Sequence, residues 1–188
     1  MSSVPAADPA LRLAIAFVNT YDLLEDPPDR LTGPVAARIA ADAGYTDLAD
    51  SLTDLSRFEV DRLRTVRSRL YLVFAALDPA AKIEALNRAI DEADLRPRVT
   101  IDGSGTIRLS AARTSTRRDP VDELAALTVD ALAHAMLVGG PERFGTCAGD
   151  PCRCVYVDRT RAGRQRFCCQ LCNDRMAAAA YRSRRASG

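Results

Sequence analysis

Apolar residues recur at helical spacing through most of the first 140 positions. From Leu11 to Leu24, the residues Ala14, Phe17, Val18, Tyr21 and Leu24 fall on one face, which predicts a first helix. Asn19-Thr20 interrupts that run; the pair either faces a neighbouring loop or touches a small ligand. Thr32-Gly-Pro34 opens a second helix that stops at Gly44, and a short segment follows from Thr46 or Asp47 to Leu52. The longest pattern runs from Thr53 to Leu77, with Leu55, Phe58, Leu63, Val66, Leu70, Val73, Phe74 and Leu77 as its stripe. Arg57, Arg62, Arg64, Arg67 and Arg69 lie off that stripe and read as its solvated side.

Asp78-Pro79 restarts the chain as a cap and first helical turn, with Ile83, Leu86 and Ile90 as the buried stripe. Between Arg98 and Leu109 the period becomes alternating around Asp102-Gly-Ser-Gly105, which predicts a β-hairpin. Its glycines lack the Gly-Lys-Ser/Thr ending of a phosphate loop. Ala111 to Arg118 reads as a loop. Asp119-Pro120 repeats the earlier cap, and Leu124, Leu127, Ala131, Ala135 and Val138 mark the next helix. Gly139-Gly-Pro141 ends it and is the natural boundary between residues 1–140 and 141–188. The fold class expected is mainly α: a helical body with one small β-hairpin, then a small C-terminal module.

That module changes the picture. All six cysteines fall between Cys147 and Cys172. The spacing Cys147-x4-Cys152-x15-Cys168-x3-Cys172 gives two close pairs separated by a finger-length insert, the layout of a structural zinc site. Ala148-Gly-Asp-Pro151 permits a sharp turn, Val155-Tyr-Val157 a strand, and Arg161-Ala-Gly-Arg164 a second turn. The order expected is knuckle, hairpin, knuckle, helix. Cys154 and Cys169 are left over, and either could replace its neighbour as ligand. Four thiolates leave no open position for water, so one structural Zn²⁺ is expected, not a catalytic one.

Charge divides the same way. Ten of the 26 basic residues lie in 143–188 against Asp150, Asp158 and Asp174, so this end carries +7 and the remainder −6 of the net +1. An acidic body with a basic end points to a polyanionic partner. From Asn173 the chain reads as a helix, with Arg175 and Arg182 on one face, small alanines between them, and Arg184 and Arg185 at its end.

The N-terminus lacks the basic and apolar regions of a signal peptide, and no apolar run approaches a membrane span, so a cytoplasmic protein with reduced thiols is expected. No Ser/His/Asp, Cys/His or paired-carboxylate arrangement emerges. The single histidine, His134, has no Cys, Asp or Glu spaced to pair with it, so an enzyme is not expected.

Phe167-Cys168, then Cys172-Asn-Asp-Arg175, then alanines and Tyr181-Arg-Ser-Arg-Arg185 resemble the CGNR zinc finger. Cys147, Pro151-Cys152 and Val155-Tyr-Val-Asp158 match it as well. Asn173 and Asp174 replace the Gly and Asn of the family's tetrapeptide. The body, through Phe17-Val-Asn-Thr20, Leu63-Arg64, Leu86-Asn87 and the hairpin, is similar to the ABATE domain of putative stress-induced transcription regulators. The resemblance implies a bacterial DNA-binding regulator with zinc on Cys147, Cys152, Cys168 and Cys172. Arg175, Arg182, Arg184 and Arg185 would meet DNA, and the body would dimerise or sense a small-molecule signal. The competing reading is a zinc-stabilised module for protein or RNA contacts.

Overall fold

The helix starts follow directly from the residues that precede them. In the computed structural model, which describes residues 8–101, 105, 107–113 and 119–186, three helices begin with the same device. Asp8, Asp78 and Asp119 cap α1 (Pro9–Val18), α5 (Pro79–Glu92) and α6 (Pro120–Gly139), each accepting a first-turn amide N–H. The following proline has no N–H to leave unpaired and a backbone already set for the first turn. Thr32 caps α2 (Gly33–Asp42), and α3 spans Thr46–Leu52. α4 (Arg57–Ala75) opens with a capping box in which Ser56 and Glu59 satisfy each other's backbone N–H.

Two helices are shorter than their apolar patterns predict. α1 ends at Val18, not Leu24, because Asn19 and Thr20 use their side chains elsewhere. Thr20 donates to the Phe17 carbonyl at 2.8 Å and accepts from Arg67, and Tyr21 makes an antiparallel bridge with Asp29. α4 begins at Arg57 because the Ser56–Glu59 box competes better than continued helix from Thr53. Phe58 and Leu77, expected on its stripe, are exposed, while Leu63, Leu70, Val73 and Phe74 are buried. On α5 the buried face is Lys82, Ala85, Leu86 and Ala89, and Ile83 points outward.

The arginines of α4 are not a solvated face. Arg67 is 6 % exposed and holds Asp29 through two contacts of 2.6 and 2.9 Å. Arg62 bridges Asp119 and Asp122 at the start of α6, and Arg64 bridges Asp29 and Asp61. These pairs tie α4 to the loop before α2 and to α6, so the charged stripe binds elements together. His134 on α6 does meet an acid: Asp130, one turn earlier, lies 3.6 Å from its Nδ1.

α6 packs against α1, α3, α4 and α5 and is the centre of the body. Val121, Leu124, Thr128 and Leu132 are buried along it. The hairpin consists of β1 (Leu95–Ile101) and β2 (Ile107–Arg113), paired from Leu95↔Arg113 to Ile101↔Ile107. Both strands are longer than predicted, and β2 takes in Ala111–Arg113, expected as loop. Residues 102–104, 114–118 and most of the N-terminal arm lie outside the described residues.

The C-terminal module grows out of the body's core. After Gly140, at φ +87°, one turn of 3-10 helix (Pro141–Arg143) leads into β3 (Phe144–Thr146). β3 pairs antiparallel with β4 (Val155–Val157). The hairpin therefore straddles the first knuckle, whereas the sequence placed it in the insert. Phe144 is buried with its ring centroid 5.2 Å from that of Phe74 on α4. Buried Lys82 donates to the Phe144 carbonyl. Val155 joins the same core. α7 (Gln170–Ala186) then starts three residues before the predicted Asn173.

Candidate metal centre and basic helix

The first knuckle is a tight turn between β3 and β4. Cys147 N–H donates to the Cys154 carbonyl at 2.8 Å and Cys152 N–H to the Gly149 carbonyl at 2.7 Å. A side chain at Gly149 would press on the Arg175 guanidinium at 3.2 Å and the Cys172 Cβ at 3.3 Å. The second knuckle is the first turn of α7, carrying Cys168 just before it and Cys172 within it. Between them the insert is closed by Asp158, whose carboxylate accepts from the Thr160 and Gln165 backbone at 2.7 and 2.8 Å.

The sulfurs of Cys147, Cys152, Cys168 and Cys172 all lie within 4.8 Å of one another. Cys152 to Cys168 and Cys168 to Cys172 are each 3.8 Å. A tetrahedral zinc with bonds of about 2.3 Å sets its sulfurs about 3.8 Å apart, so the donor set fits the ion. A disulfide would need about 2.05 Å. Amide N–H groups of Gly149 and Cys168 point at the Cys147 sulfur, and that of Cys154 at the Cys152 sulfur, each at 3.4 Å. Such donors offset the negative charge of a thiolate centre. Burial raises the Cys147 thiol, but these amides outweigh it and bring the group below its ordinary value. Burial and the crowding of neighbouring sulfurs push Cys172 up to about 12, and Cys168 upward as well. A bound cation removes that crowding by displacing the protons. The four cysteines are thus positioned to bind one zinc ion.

The two remaining cysteines have other surroundings. Cys154 turns toward the body and donates its S–H to Asp22 at 3.3 Å. Cys169 is exposed, 3.8 Å from the Cys168 sulfur.

The four candidate DNA arginines do not share one environment. Arg175 turns back onto the first knuckle, donating to the Gly149 carbonyl at 2.6 Å and approaching the Cys172 sulfur at 3.9 Å. Its guanidinium links the two knuckles, a contact within the module that the sequence, which set Arg175 among the DNA contacts, does not show. Arg182, Arg184 and Arg185 are exposed on the last turns of α7. Among the described residues no acid pairs with them, and Arg185 lies over the Tyr181 ring. Asp174 accepts from Gln170 at 2.6 Å and Asn173 at 3.3 Å, so the two altered residues, Asn173 and Asp174, lie on the exposed side of the helix start while Cys172 and Arg175 face inward. Arg164 and Arg166 line a groove with Gln170 and Asn173, which extends the basic surface to the start of the helix.

The largest feature missed from sequence is the joint between body and finger. Asn19 pairs with both backbone groups of Val155, 136 residues away. Arg153 sits between the rings of Tyr21 and Tyr71, 5.0 and 4.5 Å from their centroids. The signal available was the polar Asn19-Thr20 pair inside an apolar run, but nothing local names its partner.

Comparison with known families agrees with this architecture. A profile for ABATE, described as a putative stress-induced transcription regulator, matches residues 11–141. A profile for the CGNR zinc finger matches residues 143–185. No curated protein matches the chain. The first profile alone spans well over half of the chain, and the cysteine geometry sits inside the second. The chain belongs to the ABATE family of putative stress-induced transcription regulators and carries a CGNR zinc finger at its C-terminal end.

Proposed function

We propose that this zinc-binding regulator is a DNA-binding protein, not an enzyme, and that α7 is its reading element. The observation that carries the reading is the contrast along α7. Its start is pinned by Cys168, Cys172 and Arg175, while Arg182, Arg184 and Arg185 are exposed at its other end with no acid paired to them among the described residues. A helix of this length places its terminal arginines about 20 Å from the zinc centre, at a fixed angle to it. Alanines at 177–180 keep the intervening surface low enough to approach a phosphate backbone. Arg164 and Arg166 add positive charge beside the first turn.

The body would supply dimerisation, since one short helix reads few base pairs and gains from a second half-site. It also offers a place for a signal. A half-open groove of about 400 Å³ between α4, α5 and α6 has an apolar floor including Leu70, Val121 and Val129. The Arg62–Asp122 and Arg69–Glu92 pairs stand at its rim.

The test is fluorescence anisotropy with a pool of random duplexes against the zinc-loaded full chain over a range of salt. Affinity should fall steeply with salt, and Arg182→Ala with Arg185→Ala should weaken binding and flatten that slope by about one unit per lost phosphate contact. Salt-independent binding, or none with zinc loaded, overturns the proposal.

A further inference from the structure

Asp22 is an unusual carboxylate. It is 9 % exposed, four residues past the end of α1, and among the described residues no cationic side chain pairs with it. Its Oδ1 accepts the Leu24 N–H at 3.0 Å. Among the described residues its Oδ2 receives only the weak Cys154 S–H donor at 3.3 Å. A buried carboxylate normally has a cation or a metal beside it, because desolvating the charge alone is costly. Zn²⁺ on the four neighbouring thiolates would itself leave a net negative centre, adding to the deficit of positive charge.

An oxygen of Asp22 and the sulfurs of Cys152 and Cys154 lie within 4.8 Å of one another. Cys152 therefore belongs to two donor sets at once. We infer that Asp22, Cys154 and a bridging Cys152 form a second metal site at the joint between body and finger. The donors define its occupant. Two thiolates and one carboxylate suit a borderline-soft dication such as Zn²⁺ or its heavier congener Cd²⁺, and do not suit Mg²⁺ or Ca²⁺. Tetrahedral bonds of about 2.3 Å to sulfur and about 2.1 Å to oxygen place those two atoms about 3.6 Å apart, close to the spacing present. Three protein donors leave one position for solvent, so this ion exchanges more readily than the one held by four thiolates.

Binding is a proton exchange with no redox change. The dication enters, the Cys154 proton leaves to solvent, and the sulfur that donated to Asp22 becomes its co-ligand. The local negative charge falls by one. Because Asp22 belongs to the body and Cys154 adjoins β4, an occupied site fastens the two parts to each other. The inference stands independently of whether α7 reads DNA.

The experiment is reconstitution of the metal-free full chain with ¹¹³Cd²⁺ in the presence of a non-thiol reductant. Bound metal is counted by equilibrium dialysis and observed by ¹¹³Cd NMR. The wild type should bind two equivalents and give two resonances that are scalar-coupled through the Cys152 sulfur. Cys154→Ser and Asp22→Asn should each bind one, keeping the resonance of the four-thiolate site. One equivalent in the wild type overturns the inference, as do two equivalents retained in both variants. Should the variants fold poorly, the wild-type spectrum alone decides, because two uncoupled resonances exclude a shared cysteine.

Discussion

The Asn19 amide satisfies both backbone groups of Val155, donating to its carbonyl at 3.1 Å and accepting its N–H at 2.7 Å. This is the pairing a neighbouring strand would make, supplied by one side chain at the end of α1. Asn19→Leu should leave both groups unpaired at a buried joint and cost about 2–4 kcal/mol. Thermal unfolding followed by circular dichroism should show body and finger melting together at a lower temperature. An unchanged melting temperature would show that the joint contributes nothing.

Arg67 beside Asp29 holds that carboxyl at about 2, against an ordinary 3.8. The folded value lies below the unfolded one, so the stabilisation is complete above about pH 4 and is lost as pH falls toward 2. With Asp29 partly exposed, about 1–2 kcal/mol is expected from this pair. Asp29→Asn should remove that acid dependence and destabilise the chain at neutral pH, because Arg67 stays buried without its anion. Urea unfolding of both proteins across this range checks it; parallel stability curves would refute the assignment.

Zinc affinity should rise with pH. Burial and crowding hold Cys172 up to about 12 and raise Cys168, so protons compete with the metal throughout the neutral range. Each proton displaced contributes about a tenfold change in affinity per pH unit. Competition with a chromophoric chelator at several pH values measures the slope, and a flat profile would mean that the thiols are already ionised without metal.

Arg175 and Arg182 share a helix face yet should fail differently. Arg175→Ala removes the bond to the Gly149 carbonyl and leaves the knuckles unbraced, so zinc affinity and helix content should drop about tenfold and measurably, respectively. Arg182→Ala should leave zinc binding intact and weaken only duplex binding, by about 1 kcal/mol. Equal zinc affinities in the two variants would contradict the division of labour.

Much of this was legible in the chain because the signals are local. Asp-Pro caps, Gly stops and Cys spacing each act over a few residues, and the helix starts and the metal ligands followed from them. Periodicity misled where tertiary contacts outweighed it. Asn19 and Thr20 end α1 because Val155 and Arg67 lie across from them, and Phe58 continues an apolar pattern without being buried. The arginines of α4 looked solvated because their acids, Asp29, Asp119 and Asp122, are distant in sequence. Arg175 looked like its neighbours on the helix because sequence does not show that the Gly149 carbonyl faces it.

Phe144 sets where this protein can be divided. It precedes every cysteine, yet its ring packs at a tilt against that of Phe74 and its carbonyl accepts from buried Lys82. A cut at Gly140 would strip the body of a core aromatic and leave the excised finger with Phe144 and Val155 bared to water. Grafting the finger onto another protein would require that host to provide a matching apolar socket. Shuffling of such fingers between chains is then limited by the seat, not by the zinc.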